Sequence, residues 1–413
     1  MPFMYFPFPF NSHHFWAAVL FSSFILFYPI AYFSTKLLPF YVFLLVRIVF
    51  TPLIWADKFH AAMGALGGAL DVQSVITSFF PLFIALLVYN YYVNINNLQG
   101  LRRICRRAWF FSFLGIVNML VILIFYPRAM VDITLSSLLY EGSETVSQFK
   151  EIGFLGYGFL NALSSMFPVF IYFIMKIKLK QRQKIGWTIF AIVIWATITR
   201  GWTTAFLLFS TIFSIVAVLM KDNYVKDIKR LIIILIFAIS IPSSFTAGIF
   251  YKASEYFPDS KIGARLYDAG LTIENPNLDY YASTTHAGKR LGRTPMLWKS
   301  FLSNPLTGGG MTSEHVAWLD MLSLYGLLGF LPWLYLVYKN FRFNIRFVPQ
   351  SYSGYYMLCV IAFVAMGFLK NTGGAHVYIF WFLIAPGSAF IYRHNSEEPY
   401  VDSVDLIEDM ITN

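Results

Sequence analysis

The sequence predicts an all-α polytopic membrane protein of about 11 transmembrane helices, with 10–12 compatible with the boundaries, and one large loop outside the membrane. Three observations carry this. The chain is 58% hydrophobic and only 13% charged, where soluble domains hold roughly a quarter charged residues. Apolar runs of about 20 residues, enough to cross a hydrocarbon core of about 30 Å, recur from end to end. The Lys and Arg residues gather in alternate loops, which is a topology signal.

The spans fall near 15–33, 37–55, 74–93, 108–127, 153–175, 185–199, 201–220, 231–250, 316–338, 351–369 and 377–392. The first stays as an anchor, since "MPFMYFPFPFNSHHF" lacks the positive start and small-residue cleavage site of a signal peptide. After the second, the Gly-rich "AAMGALGGAL" leaves room for a re-entrant segment that would alter the count. The loops "NLQGLRRICRRA", "KIKLKQRQK", "KDNYVKDIKR" and "KNFRFNIRF" are basic, and their alternation puts all four on the cytoplasmic side. Residues 128–152 and 370–376 carry few basic residues and fall opposite. Four parts result: a bundle over 1–250, an outer loop over 251–315, helices over 316–392 and an acidic inner tail over 393–413. A loop of about 65 residues is long enough to be functional or disordered. Trp298 and the apolar "PMLWKSFL" predict that it is partly folded over the bundle.

The net charge of +10 follows from topology and calls for no nucleic acid. Cys105 and Cys359 offer neither a disulfide framework nor metal-ligand spacing. There is no Asp-x-Asp pair for a metal–nucleotide complex, no His-Glu-x-x-His for zinc and no nucleophile elbow, so metal, nucleotide and cofactor chemistry are disfavoured.

What remains is a set of Arg and His residues at the outer boundary. Arg200 lies in "ATITRGWTTAF", read as a tight turn; Arg265, Arg290 and Arg293 lie in the loop; His315 starts the ninth span. Guanidinium forks suit phosphate oxygens and stabilise charge developing on a phosphate leaving group. A helix N-terminus disfavours imidazolium, leaving a neutral ring able to accept a proton. Arginines for a diphosphate and a base for a hydroxyl suffice for group transfer from a lipid diphosphate. Each residue also has a structural alternative. Arg200 would serve as an interfacial anchor, and the loop arginines would pair with Asp259, Asp268, Glu274 or Asp279. His315 would be a hydrogen-bonded helix start, and the glycines of "NPLTGGG" would only close a turn. At membrane depth Arg47 and Asp320 are the clear opposite charges, and they either pair or flank one water-filled cavity.

"GRTPMLWKSFLSNPLTGGG", then "EHVAWLDMLSLYGLLGFLPWL", resembles the signature of the O-antigen ligase and polymerase superfamily. "ITRGWTTAFLL" resembles its earlier Ser-Arg-Gly pattern between two spans. The likeness covers 195–212 and 288–332. Val316 stands where many members have Asn, the step from Gly310 to His315 is short, and Thr199 replaces Ser, which favours a divergent Wzy-type polymerase over a core-lipid ligase. The resemblance implies a GT-C-like, metal-independent glycosyltransferase in a bacterial inner membrane, with its site facing the periplasm. Its substrates would be undecaprenyl-diphosphate-linked glycans. A chain-length regulator and a flippase would be its partners beside membrane lipid. Arg200 and Arg293 would bind the donor diphosphate, and His315 would orient or deprotonate the acceptor hydroxyl. Arg290, Arg265, Arg47 and Asp320 join as candidate substrate-binding residues by position alone. The competing expectations are an O-antigen ligase and, in a different class, a polysaccharide flippase or transporter.

Overall fold

The structure, a computed structural model, describes residues 13–33, 35–50, 53–54, 72–127, 129, 156–200, 204–220, 243–257, 261–274, 286–311, 316–369 and 384–392. All of its regular elements are helices. In order they are α1 (His13–Phe27), α2 (Leu38–Phe50), α3 (Val72–Asn94), α4 (Leu98–Phe125), α5 (Gly156–Ser165) and α6 (Phe167–Ile171). There follow α7 (Gln181–Arg200), α8 (Thr204–Leu219), α9 (Ser243–Glu255), α10 (Lys261–Glu274) and α11 (His286–Ser303). The last are α12 (Ala317–Ile345), α13 (Gln350–Leu369) and the short α14 (Ala385–Ser388).

Among the described residues three helices are long and apolar enough to cross a membrane: Leu98–Phe125, Ala317–Ile345 and Gln350–Phe368. Residues Gly158–Ser165 and Phe167–Lys176 pass the same test as one span bent by 44°. Pro168 sits just past the bend, where its ring and missing N–H disrupt a continuous helix. Shorter apolar helices include Leu38–Phe50, Leu82–Asn94 and Ser210–Leu219. The all-helical membrane class expected from composition is therefore present. Residues 61–70, 131–152, 221–242, 370–383 and 393–413, which hold the Gly-rich stretch, parts of the eighth and eleventh spans and the acidic tail, lie outside the described residues.

Helices surrounded by lipid gain nothing from hydrophobic exclusion against one another, so close packing and buried hydrogen bonds hold the bundle. The ring of Trp109 on α4 meets Phe170 at 5.2 Å, Trp187 at 5.4 Å and Phe190 at 5.7 Å, joining α4, α6 and α7 in edge-to-face contacts. Outward-facing Leu45, Phe110, Ile192 and Ile215 are more than half exposed. A belt of that kind fits a lipid surround and would be a liability in water.

Three of the four basic segments collect at one end of the bundle, and the fourth, 221–230, lies outside the described residues. Arg106 Nη2 donates to the Ile391 carbonyl at 3.0 Å, Trp109 Nε1 to Ser388 Oγ at 2.8 Å and Trp187 Nε1 to Tyr392 Oη at 2.8 Å. Lys36 donates to Asn94 Oδ1 and stands 4.3 Å over the Phe343 ring, which brings the basic end of α12 to the same side. The segments around 97–108, 176–187 and 339–347 thus share one side of the packing.

In the segment read as a large outer loop, the described residues are mostly helical. α9 and α10 form an antiparallel hairpin, closed by Tyr251 Oη donating to Glu274 Oε2 at 2.6 Å. That bond holds the phenol up at about 12, because losing the proton would place an anion against a carboxylate. With the folded value above the ordinary 10, the bond's contribution is complete below about pH 10 and is lost between about 10 and 12. In a ¹³C-tyrosine NMR titration one tyrosine resonance is expected to move near pH 12 and to vanish in Tyr251→Phe.

Candidate functional site

The segment after α11 does not simply lead outward into the ninth span. Residues 304–308 dock into a break in α12, and the two exchange backbone hydrogen bonds. Gly326 interrupts α12 with φ 59 and ψ −161. Leu327 N donates to the Pro305 carbonyl at 2.9 Å, Leu328 N to Leu306 at 3.0 Å, and Gly310 N to Ser323 at 3.1 Å. A helix break strands carbonyls above it and N–H groups below it, and such groups at membrane depth need partners. The glycine-rich turn supplies them. Gly308 at φ 79 and Gly310 at φ 85 give the left-handed turn that aims the loop at the break.

The break lies about 20 Å along the helix axis from Lys339, the first cation toward the basic end, at 1.5 Å per residue. That distance is about two thirds of a hydrocarbon core of about 30 Å. α11 ends beside this level, since the residues that follow it, 305–310, meet the break. The glycines had been read as closing a turn at the mouth of a helix; they make a backbone interlock between loop and helix.

Arg47 is 3% exposed and its guanidinium carbon lies 3.4 Å from the centre of the Tyr325 ring, the residue before the break. Phe43, one turn away on α2, stands 5.6 Å from the same guanidinium. A desolvated cation over a tyrosine face is worth about 2 kcal/mol or more. Asp320 is 7% exposed, and its Oδ2 accepts the Val316 N–H at 3.1 Å. It thus satisfies an N–H at the start of α12 and places negative charge at the positive end of the helix dipole. Arg47 meets α12 at Tyr325, about 7–8 Å along the α12 axis from Asp320.

Arg200 is the last residue of α7, placed there rather than within a turn. Its Nε donates to the Leu123 carbonyl at 3.4 Å, a long bond to one of the last carbonyls of α4, and the residue is exposed. Trp318 Nε1 donates to the Val364 carbonyl at 2.7 Å, which ties the start of α12 to the end of α13. Arg200 and the start of α12 therefore share the end of the bundle opposite the basic segments.

Arg290 and Arg293 belong to α11, not to a loop. At helical spacing, positions 290, 293, 297 and 300 fall on one stripe. Leu297 and Ser300 on that stripe are buried, and α11 packs against α12. Arg265 belongs to α10. The side chains of Arg265, Arg290 and Arg293, and the whole of His315, lie outside the described residues.

Two residues of this site escaped the sequence. Ser300 and Ser323 are 7% and 0% exposed, and neither hydroxyl has a hydrogen-bond partner among the described residues. Their backbones flank the interlock: Ser323 accepts from Gly310, and a Cβ on Gly309 would collide with Ser300. A buried hydroxyl without a partner costs about 1–3 kcal/mol, so the pair marks a place suited to water or a polar ligand. The only sequence signal was spacing: Ser323 follows Asp320 by three, and Ser300 follows Arg293 by seven.

Comparison with known proteins returns no matching family model, no matching curated protein and no matching solved structure.

Proposed function

We propose that the protein is a membrane glycosyltransferase that joins undecaprenyl-diphosphate-linked oligosaccharide repeats on the outer face of a bacterial inner membrane, an O-antigen polymerase. One observation carries the reading. α11, the helix of Arg290 and Arg293, packs on α12 beside a backbone interlock, at the end of the bundle that holds Arg200. A helix carrying two arginines in its sequence, at the end of the bundle that holds Arg200, fits a lipid diphosphate lying with its headgroup there.

In this reading the acceptor hydroxyl oxygen attacks the anomeric carbon of the donor. A new carbon–oxygen bond forms as the bond to the diphosphate breaks, with inversion at that carbon. Undecaprenyl diphosphate leaves with the bonding electron pair, its charge stabilised by Arg200 and Arg293. His315 orients the hydroxyl or takes its proton. The layout is GT-C-like, about 11 spans cross the bilayer, and the basic end faces the cytoplasm. Chain-length regulator and flippase are the proposed partners.

Complementation of a deletion strain with His315→Ala, Arg200→Ala or Arg293→Ala tests this. Loss of one charge-stabilising donor typically lowers turnover by about 10²–10³. The lipopolysaccharide of each strain should then show core bearing a single repeat. Bare core with accumulated lipid-linked polymer would instead identify a ligase. A ladder of normal length in all three would defeat the catalytic assignment, leaving a transporter to be considered.

A further inference from the structure

The bonds of the interlock occupy a set of donors that would suit an anion. Past Gly326 the second half of α12 runs about five turns to Ile345. Its first N–H groups point away from the basic end of the bundle, at the positive pole of the half-helix. Broken helices in membrane proteins offer such a terminus to the anionic group of a substrate. Here Leu327 and Leu328 give their N–H groups to the Pro305 and Leu306 carbonyls. Two carbonyl oxygens of the chain stand where the oxygens of a ligand would.

A half-helix terminus already satisfied by the chain calls for no ligand by itself, but its surroundings do. The Ser300 and Ser323 hydroxyls are buried and have no partner among the described residues. Ser300 Oγ faces the docked segment, since a Cβ on Gly309 would collide with it. Hydroxyls so placed can donate to phosphate oxygens. Arg47 holds its guanidinium over Tyr325, two residues before Leu327, and Val46 and Phe50 of the same helix pack against Leu324, as Leu328 does. Asp320, the carboxylate of this stretch, stands about 10 Å along the axis from Leu327, turned to the Val316 N–H. Trp298, Leu302 and Leu306 are 45%, 57% and 62% exposed and recur every fourth residue, so an apolar strip follows α11 to the docked segment. Donors and a cation at the end of an apolar strip match the headgroup and chain of one lipid anion.

We propose that residues 304–310 are a displaceable plug over an anion site. When the plug withdraws, the diphosphate of the lipid-linked donor takes the N–H groups of Leu327 and Leu328 and the hydroxyls of Ser300 and Ser323. This site rests on the function proposed above and gives its donor a place and a gate. The Ser323 carbonyl, which now accepts from Gly310, turns to water that enters with the headgroup. Reseating of the Pro305 and Leu306 carbonyls then displaces the undecaprenyl diphosphate left after transfer, so the plug also serves product release.

Binding of radiolabelled undecaprenyl diphosphate to the purified full-length protein, with undecaprenol and phosphatidylglycerol as competitors, tests the proposal. Ser300→Ala and Ser323→Ala are each expected to weaken binding about tenfold, the usual effect of losing one hydrogen bond to a charged group. Neither should lower the unfolding temperature, because removing a buried hydroxyl that has no partner takes nothing from the fold. Gly309→Ala, whose new carbon would strike the Ser300 carbonyl and push the segment away, is expected to tighten binding at least about threefold by raising the open fraction. Diphosphate binding that ignores all three substitutions would overturn the plug and leave the proposed function standing, with its donor held elsewhere. No diphosphate binding in the wild type or in Gly309→Ala would overturn both. Competition by phosphatidylglycerol as strong as by unlabelled undecaprenyl diphosphate would assign the site to membrane phospholipid and also overturn the proposal. So would serine variants whose unfolding temperature falls in step with their binding, which would make the hydroxyls structural.

Discussion

Gly326→Ala is expected to destabilise the purified protein by about 3 kcal/mol or more and, on the proposed function, to abolish chain growth. At φ 59 and ψ −161 the backbone occupies a region essentially reserved for glycine, and a side chain there costs about 1–3 kcal/mol. The added Cβ would also collide with the Leu306 carbonyl oxygen and stand 2.5 Å from Gly308 N. The loop would have to withdraw, leaving Leu327 and Leu328 without their acceptors. Gly308→Ala should follow it, since its Cβ would strike the Leu324 carbonyl. By contrast Gly186→Ala on α7, which has no neighbour within 4 Å of the new carbon, should leave both stability and the polysaccharide ladder unchanged. Thermal unfolding in detergent, paired with the ladder, separates these cases. Wild-type stability in Gly326→Ala would mean that the interlock contributes nothing.

Arg47→Met is the second large effect, an expected loss of about 2 kcal/mol or more, because a buried cation over an aromatic ring would be replaced by a side chain without charge. Two double-mutant cycles apportion it. With Tyr325→Leu the coupling should reach about 1–2 kcal/mol. With Asp320→Asn a coupling of similar size would establish an ion pair, and none would leave the two charges flanking a shared space. Asp320→Asn by itself should weaken the start of α12, because a neutral amide oxygen is a poorer acceptor for the Val316 N–H than a carboxylate.

The sequence made the class and the polarity of this bundle legible, because both depend on where charge is tolerated. Basic residues such as Arg106 and Lys339 cannot be carried across hydrocarbon cheaply, so their positions in the chain already disclosed which helix ends lie together. Arg290 and Arg293 were read as loop residues for a good local reason. Gly288, Gly292 and Pro295 lower helix propensity across that segment, and packing of α11 on α12 overrides it. The interlock was illegible because its halves, Leu306 and Gly326, are twenty residues apart, and a glycine that frees a turn looks the same as one that admits another backbone. Ser300 and Ser323 were missed because serine on an apolar helix has no pattern of its own until its surroundings are known.

The hydrogen bonds at Leu327 and Leu328 have a consequence for how movement of the outer segment would be seen. Amide protons just past a helix break ordinarily exchange with deuterium readily, since no preceding turn protects them. Here their acceptors belong to Pro305 and Leu306, in a different part of the chain. Their exchange rate therefore reports on the seating of 304–308, not on the integrity of α12. Two amides deep in the protein become a clock for how often the segment bearing the arginines lifts away.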